Sequence, residues 1–110
     1  MKRVVAHIGI LQYLRTLTSR EQKDLILNAP KQLLFTLSEI ALNIIARNIS
    51  LTSAQIAKLR KFEKQILSIS EKKISLAKRK QILRGGSFLK NFLDGTLPSL
   101  ILALAQRKRK

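Results

Sequence analysis

One histidine, six carboxylates and no cysteine are what this 110-residue chain offers for imidazole, carboxylate or thiol chemistry and for metal ligation. The acids (Glu21, Asp24, Glu39, Glu63, Glu71 and Asp94) are scattered, and His7 stands in an apolar stretch. No set of groups has the convergence that general acid–base catalysis or a ligand cluster needs. His7 reads as an accommodated helix residue. The absence of cysteine removes disulfides, thiolate ligands and thiol nucleophiles together, and it suits a reducing compartment. The paired glycines, Gly85 and Gly86, follow a helical pattern instead of opening one. They therefore meet the negative end of the helix dipole, the wrong sign for phosphate. The sequence predicts no enzyme, no cofactor and no metal site.

What the chain has in excess is positive charge. Lys and Arg number 22, the formal charge is +16 and the sequence pI is about 11.3, so the natural partner is a polyanion, either nucleic acid or an anionic membrane surface. Residues 1–54 carry +4, residues 55–86 carry +8 and residues 87–110 carry +4. The central stretch holds ten cations against two acids: Lys58, Arg60, Lys61, Lys64, Lys72, Lys73, Lys78, Arg79, Lys80 and Arg84. That imbalance exceeds what a merely solvated face, which mixes both signs, would show. Neutralising phosphates needs cations at high density and in no special order, so these ten are the candidate DNA-binding residues. Lysine dominates, which favours contacts to the backbone of double-stranded DNA over reading of base edges. With one Tyr and no Trp, stacking on single-stranded bases has little to work with.

The elements that must carry these charges are helical. Apolar residues recur at three and four, not two, which predicts an all-α protein: a small bundle of about four to five helices, a basic C-terminal helix and a short apolar helical tail. A first helix is expected over Val4–Leu17. Ser19 with Gln22 reads as a capping box for a second helix ending near Asn28. Pro30 suits the first turn of a third, which bears Leu33, Leu37, Ile40 and Ile44 beside Leu34, Ala41 and Ile45 as the centre of the core. Asn48 ends it. Thr52 with Gln55 caps a fourth helix that turns Ile56, Leu59, Phe62 or Glu63, Ile66 and Ile69 inward. Serines interrupt the chain near 70–75, Ser75 caps a basic helix over Leu76–Arg84, and Gly85 and Gly86 stop it. Apolar residues make up 45% of the chain, enough for one modest core.

The expected division is a bundle at 1–70, a basic helix at 71–86 and a separable apolar tail with a basic terminus at 87–110. No segment is expected to reach the roughly 20 apolar residues of a bilayer span. Residues 1–17 are too interrupted, by Gln12, Tyr13 and Arg15, for a secretory leader. Phe88, Leu89, Phe92, Leu93, Leu100 and Ile101 are candidate membrane or partner contacts, with packing on the third helix as the simpler role. The run Arg107 to Lys110 also reads as a nuclear import signal. A second copy of the chain remains open as a partner.

The segment Leu83-Arg84-Gly85-Gly86-Ser87, an aliphatic residue, any residue, two glycines and then a break, resembles the substrate pattern of the adenovirus maturation protease. A basic segment ending in Arg-Gly-Gly and followed by an apolar tail is similar to the adenovirus core protein precursors called mu or protein X. Residues 37–43, Leu51-Thr52 and 75–80 also resemble small basic proteins of Polinton (Maverick) elements and their adintovirus relatives. This resemblance implies a virion core protein that condenses viral double-stranded DNA in the virion and the host nucleus. It also implies processing by the viral maturation protease between Gly86 and Ser87, with Leu83 and Gly85 part of the recognised site. The alternatives from the residues themselves are a membrane-active protein acting through the tail and a helix-turn-helix regulator.

Overall fold

The computed structural model describes residues 2–108, with side chains over 3–105. The described residues form seven helices and no strand: α1 (Lys2–Thr16), α2 (Ser19–Leu27), α3 (Lys31–Ile45), α4 (Ser53–Arg60), α5 (Glu63–Ser70), α6 (Leu76–Leu83) and α7 (Phe88–Lys108). Local chemistry sets most of the boundaries. The Thr52–Gln55 capping box forms as expected, and Ser75 caps α6 by accepting the Lys78 amide at 3.1 Å. At α2 the box is shifted by one residue. Thr18, not Ser19, is the cap, and Glu21 bonds back to its amide at 2.9 Å. This register releases Gln22, which is buried and donates to the Leu14 carbonyl at 2.9 Å. Pro30 precedes α3 as its N-cap. Helix α3 ends at Ile45 with Ala46 as its C-cap, short of Asn48, and Arg47 takes a left-handed turn, with φ 60°.

Two differences from the expected elements have tertiary causes. The helix expected to run from 53 to 70 breaks at Lys61–Phe62, because its halves have different neighbours: α4 lies on α7 and α5 lies on α3. The break turns Phe62 toward Phe88, which in turn meets Phe92, with ring centroids 5.6 and 5.4 Å apart. It also leaves Ile56 exposed where the sequence placed it inward. The second difference is α7, a continuous helix of 21 residues that passes through both Gly95 and Pro98. At Gly95 α4 packs close against α7, since a Cβ there would lie 2.9 Å from Leu59 Cδ2.

The core does not divide at 70 or at 86. Leu11 and Leu14 of α1, Leu33, Leu37 and Ile40 of α3, Ile66 and Ile69 of α5 and Phe88, Phe92, Leu93 and Leu97 of α7 belong to one buried cluster. Helix α7 packs on α1, α4, α2 and α6. The sequence offers α3 as the simplest packing partner for this segment, and the main contacts are instead with these four helices. An ion pair of 2.9 Å between Arg15 and Asp94 also ties it to α1. The radius of gyration, 13.0 Å, matches the roughly 13 Å of a compact chain this long.

Candidate nucleic-acid interface

The ten candidate cations fall into three environments. Lys58, Arg60, Lys61, Lys64, Lys72, Lys73 and Lys78 are exposed. They lie along α4, the elbow into α5, the 71–75 loop and the start of α6. None of the ten forms an ion pair among the described residues, where the pairs are Arg3–Glu39 at 4.0 Å and Arg15–Asp94. Lys58 and Arg60 occupy the last turn of α4, where a cation is favoured by the helix dipole.

Lys80 and Arg84 are half-buried and serve another helix. Lys80 Nζ donates to the Leu27 carbonyl at 3.0 Å, and Arg84 Nε donates to the Lys23 carbonyl at 3.2 Å. Leu27 is the last residue of α2, which has no basic residue of its own in its last turn, whereas Lys23 lies mid-helix. Helix α6 therefore supplies the positive charge that the C-terminus of α2 lacks.

Arg79 is a correction to the expected DNA-binding set. It is only 5% exposed, and its guanidinium is spent inside the protein. Nε donates to Ser38 Oγ at 3.1 Å, Nη1 to the Ile74 carbonyl at 2.8 Å and Nη2 to the Glu71 carbonyl at 2.9 Å. Its plane lies 5.2 Å from the Phe35 ring centroid, and Arg3 lies 5.5 Å from the same ring. A planar fork with five donors suits such a task, because one side chain can hold several carbonyls of a turning backbone. The loop it holds carries Lys72 and Lys73, so Arg79 bears on the exposed cations through their backbone.

Of the two roles open to the candidate membrane or partner contacts, the structure places these residues in packing within the protein. Phe88, Leu89, Phe92, Leu93 and Leu100 are buried and Ile101 is half-buried. Phe88–Ala105 is, contrary to expectation, long and apolar enough to cross a membrane by length and composition, but 44% of it is buried inside the protein, where α7 packs on α1, α4, α2 and α6. At the glycine pair, Gly85, Gly86 and Ser87 form an exposed turn with Gly86 at φ 55°, while Leu83 is 2% exposed and part of the core. A protease that reads Leu83 must open the last turn of α6 first.

Compared with known proteins, the chain matches no family model, no curated protein and no solved structure. His7 holds a local position: Nδ1 lies 2.8 Å from the Arg3 carbonyl, so Nδ1 carries the proton, and Thr36 Oγ1 is 3.3 Å away. Among the described residues no three His, Asp or Glu side chains gather as a metal site would require. What sequence reasoning missed is a concavity where α3 ends against α4 and α5, with Ile45, Arg47, Ile56 and Leu67 among its lining residues. The one sequence signal for it is an arginine at the helix end where glycine is the usual residue.

Proposed function

We propose that this protein binds double-stranded DNA through non-specific phosphate contacts and serves as a core protein that compacts a viral genome in the virion. The observation that carries the reading is the set of seven exposed cations on consecutive elements, none paired with a carboxylate among the described residues. Placed near phosphates, such groups displace condensed counterions, and the gain in counterion entropy drives binding whatever the base sequence. The resemblance to adenovirus-type core precursors supports the viral setting. The exposed turn at Gly86–Ser87 supports processing by a maturation protease at that bond.

Titration of unrelated short duplexes at several salt concentrations tests the reading. If all seven cations meet phosphate, the logarithm of affinity falls against the logarithm of salt with a slope of about −6. Replacing Lys58, Lys61 and Lys64 by Gln should reduce that slope by roughly 3, as should replacing Lys72, Lys73 and Lys78. Affinity indifferent to salt would remove the proposal. Binding to one sequence that survives a large excess of unrelated competitor would point to a regulator instead.

A further inference from the structure

We propose that the groove between the end of α3 and the α4–α5 elbow is a docking site for an acidic amphipathic helix of a partner protein. The cavity is about 640 Å³. Among its lining residues Leu59 and Ile66 are buried, whereas Ile45, Ile56 and Leu67 are 41%, 43% and 46% exposed. These three come from three different helices and converge on one concavity. Scattered exposed aliphatics are ordinary, but a shared apolar hollow is how a helix-binding groove is built.

Charge and backbone strain select the occupant. The lining includes exposed Arg47 and Arg60 and a single acid, Glu63, and neither arginine is paired with a carboxylate among the described residues. The net charge of +16 opposes a second copy of the chain or any basic segment in this position. Arg47 holds a left-handed backbone, φ 60°, where glycine or asparagine would sit without strain. The chain thus keeps an arginine in the lining of an apolar hollow against a local conformational cost. A helix with apolar side chains at i, i+3 or i+4 and i+7 fills the hollow, and carboxylates beside that stripe reach Arg47 and Arg60.

The test is selection on the intact protein from a displayed library of amphipathic helices, about 16 residues long to give four turns, with polar faces ranging from acidic to basic. The expected winners combine the apolar spacing with Asp and Glu. A synthesised winner should lose about tenfold or more in affinity, a change of about 1.4 kcal/mol, for the Ile56→Glu protein, and several-fold for Arg47→Gly. Arg47→Gly also relieves the backbone, so its melting temperature should rise while peptide affinity falls. A purely structural arginine would not separate the two. The proposal is overturned by a library that does not enrich, by winners that are acidic without the apolar spacing, or by winners that bind Ile56→Glu unchanged. A dimer of the intact protein that Ile56→Glu dissociates would also overturn it, by placing a second copy in the groove.

Discussion

Two side chains show how differently charge is used at the scale of single residues. Glu21 is fully exposed, yet its carboxyl is held below the usual range, chiefly by the hydrogen bond from the Thr18 amide and then by Thr18's side chain. A carboxyl whose pKa is lower folded than unfolded stabilises the fold above its unfolded value, about 4.5, and loses that contribution as pH falls through the folded value. Denaturant midpoints measured from pH 6 down to pH 3 should therefore fall, and Glu21→Gln should flatten part of that fall, because glutamine keeps the box without titrating. Arg79 is the opposite case, a charge enclosed by carbonyls. Arg79→Met strands the Ile74 and Glu71 carbonyls and should cost about 2–4 kcal/mol in urea unfolding, with Arg79→Lys recovering only part, since one ammonium cannot span the same acceptors. Nothing in the run Lys78-Arg79-Lys80 distinguishes these residues. The distinction comes from Phe35 and Ser38, about forty positions away, so the sequence shows a basic cluster but not which member is buried.

At the scale of elements, the contact between α4 and α7 is set by a missing side chain. Gly95→Ala would place a methyl 2.9 Å from Leu59 Cδ2. Overpacking of that kind costs about 1–3 kcal/mol, against a gain in helix propensity of about 1 kcal/mol, so the variant should be destabilised. In a Leu59→Ala background the same change should become neutral or stabilising, and a double-mutant cycle of denaturation free energies reads the difference as coupling. Helix content and the caps at Thr52 and Ser75 were legible because they depend on residues three apart. The register at α2 was ambiguous locally, since Thr18–Glu21 and Ser19–Gln22 both satisfy the pattern, and Gln22's bond to Leu14 decides it. The break at Phe62 and the continuity of α7 through Gly95 and Pro98 have no local signal at all. They follow from which helix each half packs against.

At the scale of the whole molecule, the position of α7 decides what cleavage after Gly86 can do. Sequence alone suggests release of an apolar tail, whereas Phe88, Leu89, Phe92, Leu93, Leu97 and Leu100 are buried at 0–3% exposure in the shared core. Each contributes about 1.5–3 kcal/mol by burial, and together they are comparable with the whole net stability of a small domain, about 5–15 kcal/mol. Cutting the Gly86–Ser87 bond removes one covalent link and none of that contact. A protein cleaved at this turn, through an inserted site for a specific protease, should elute from a sizing column as one species, with 1–86 and 87–110 together. Guanidinium should then separate the fragments. A chain made only as 1–86 lacks these six buried side chains and should show little helicity and no cooperative melt by circular dichroism. If instead the cleaved tail left freely and 1–86 kept its helicity and melted cooperatively, α7 would be an attachment and not part of the core.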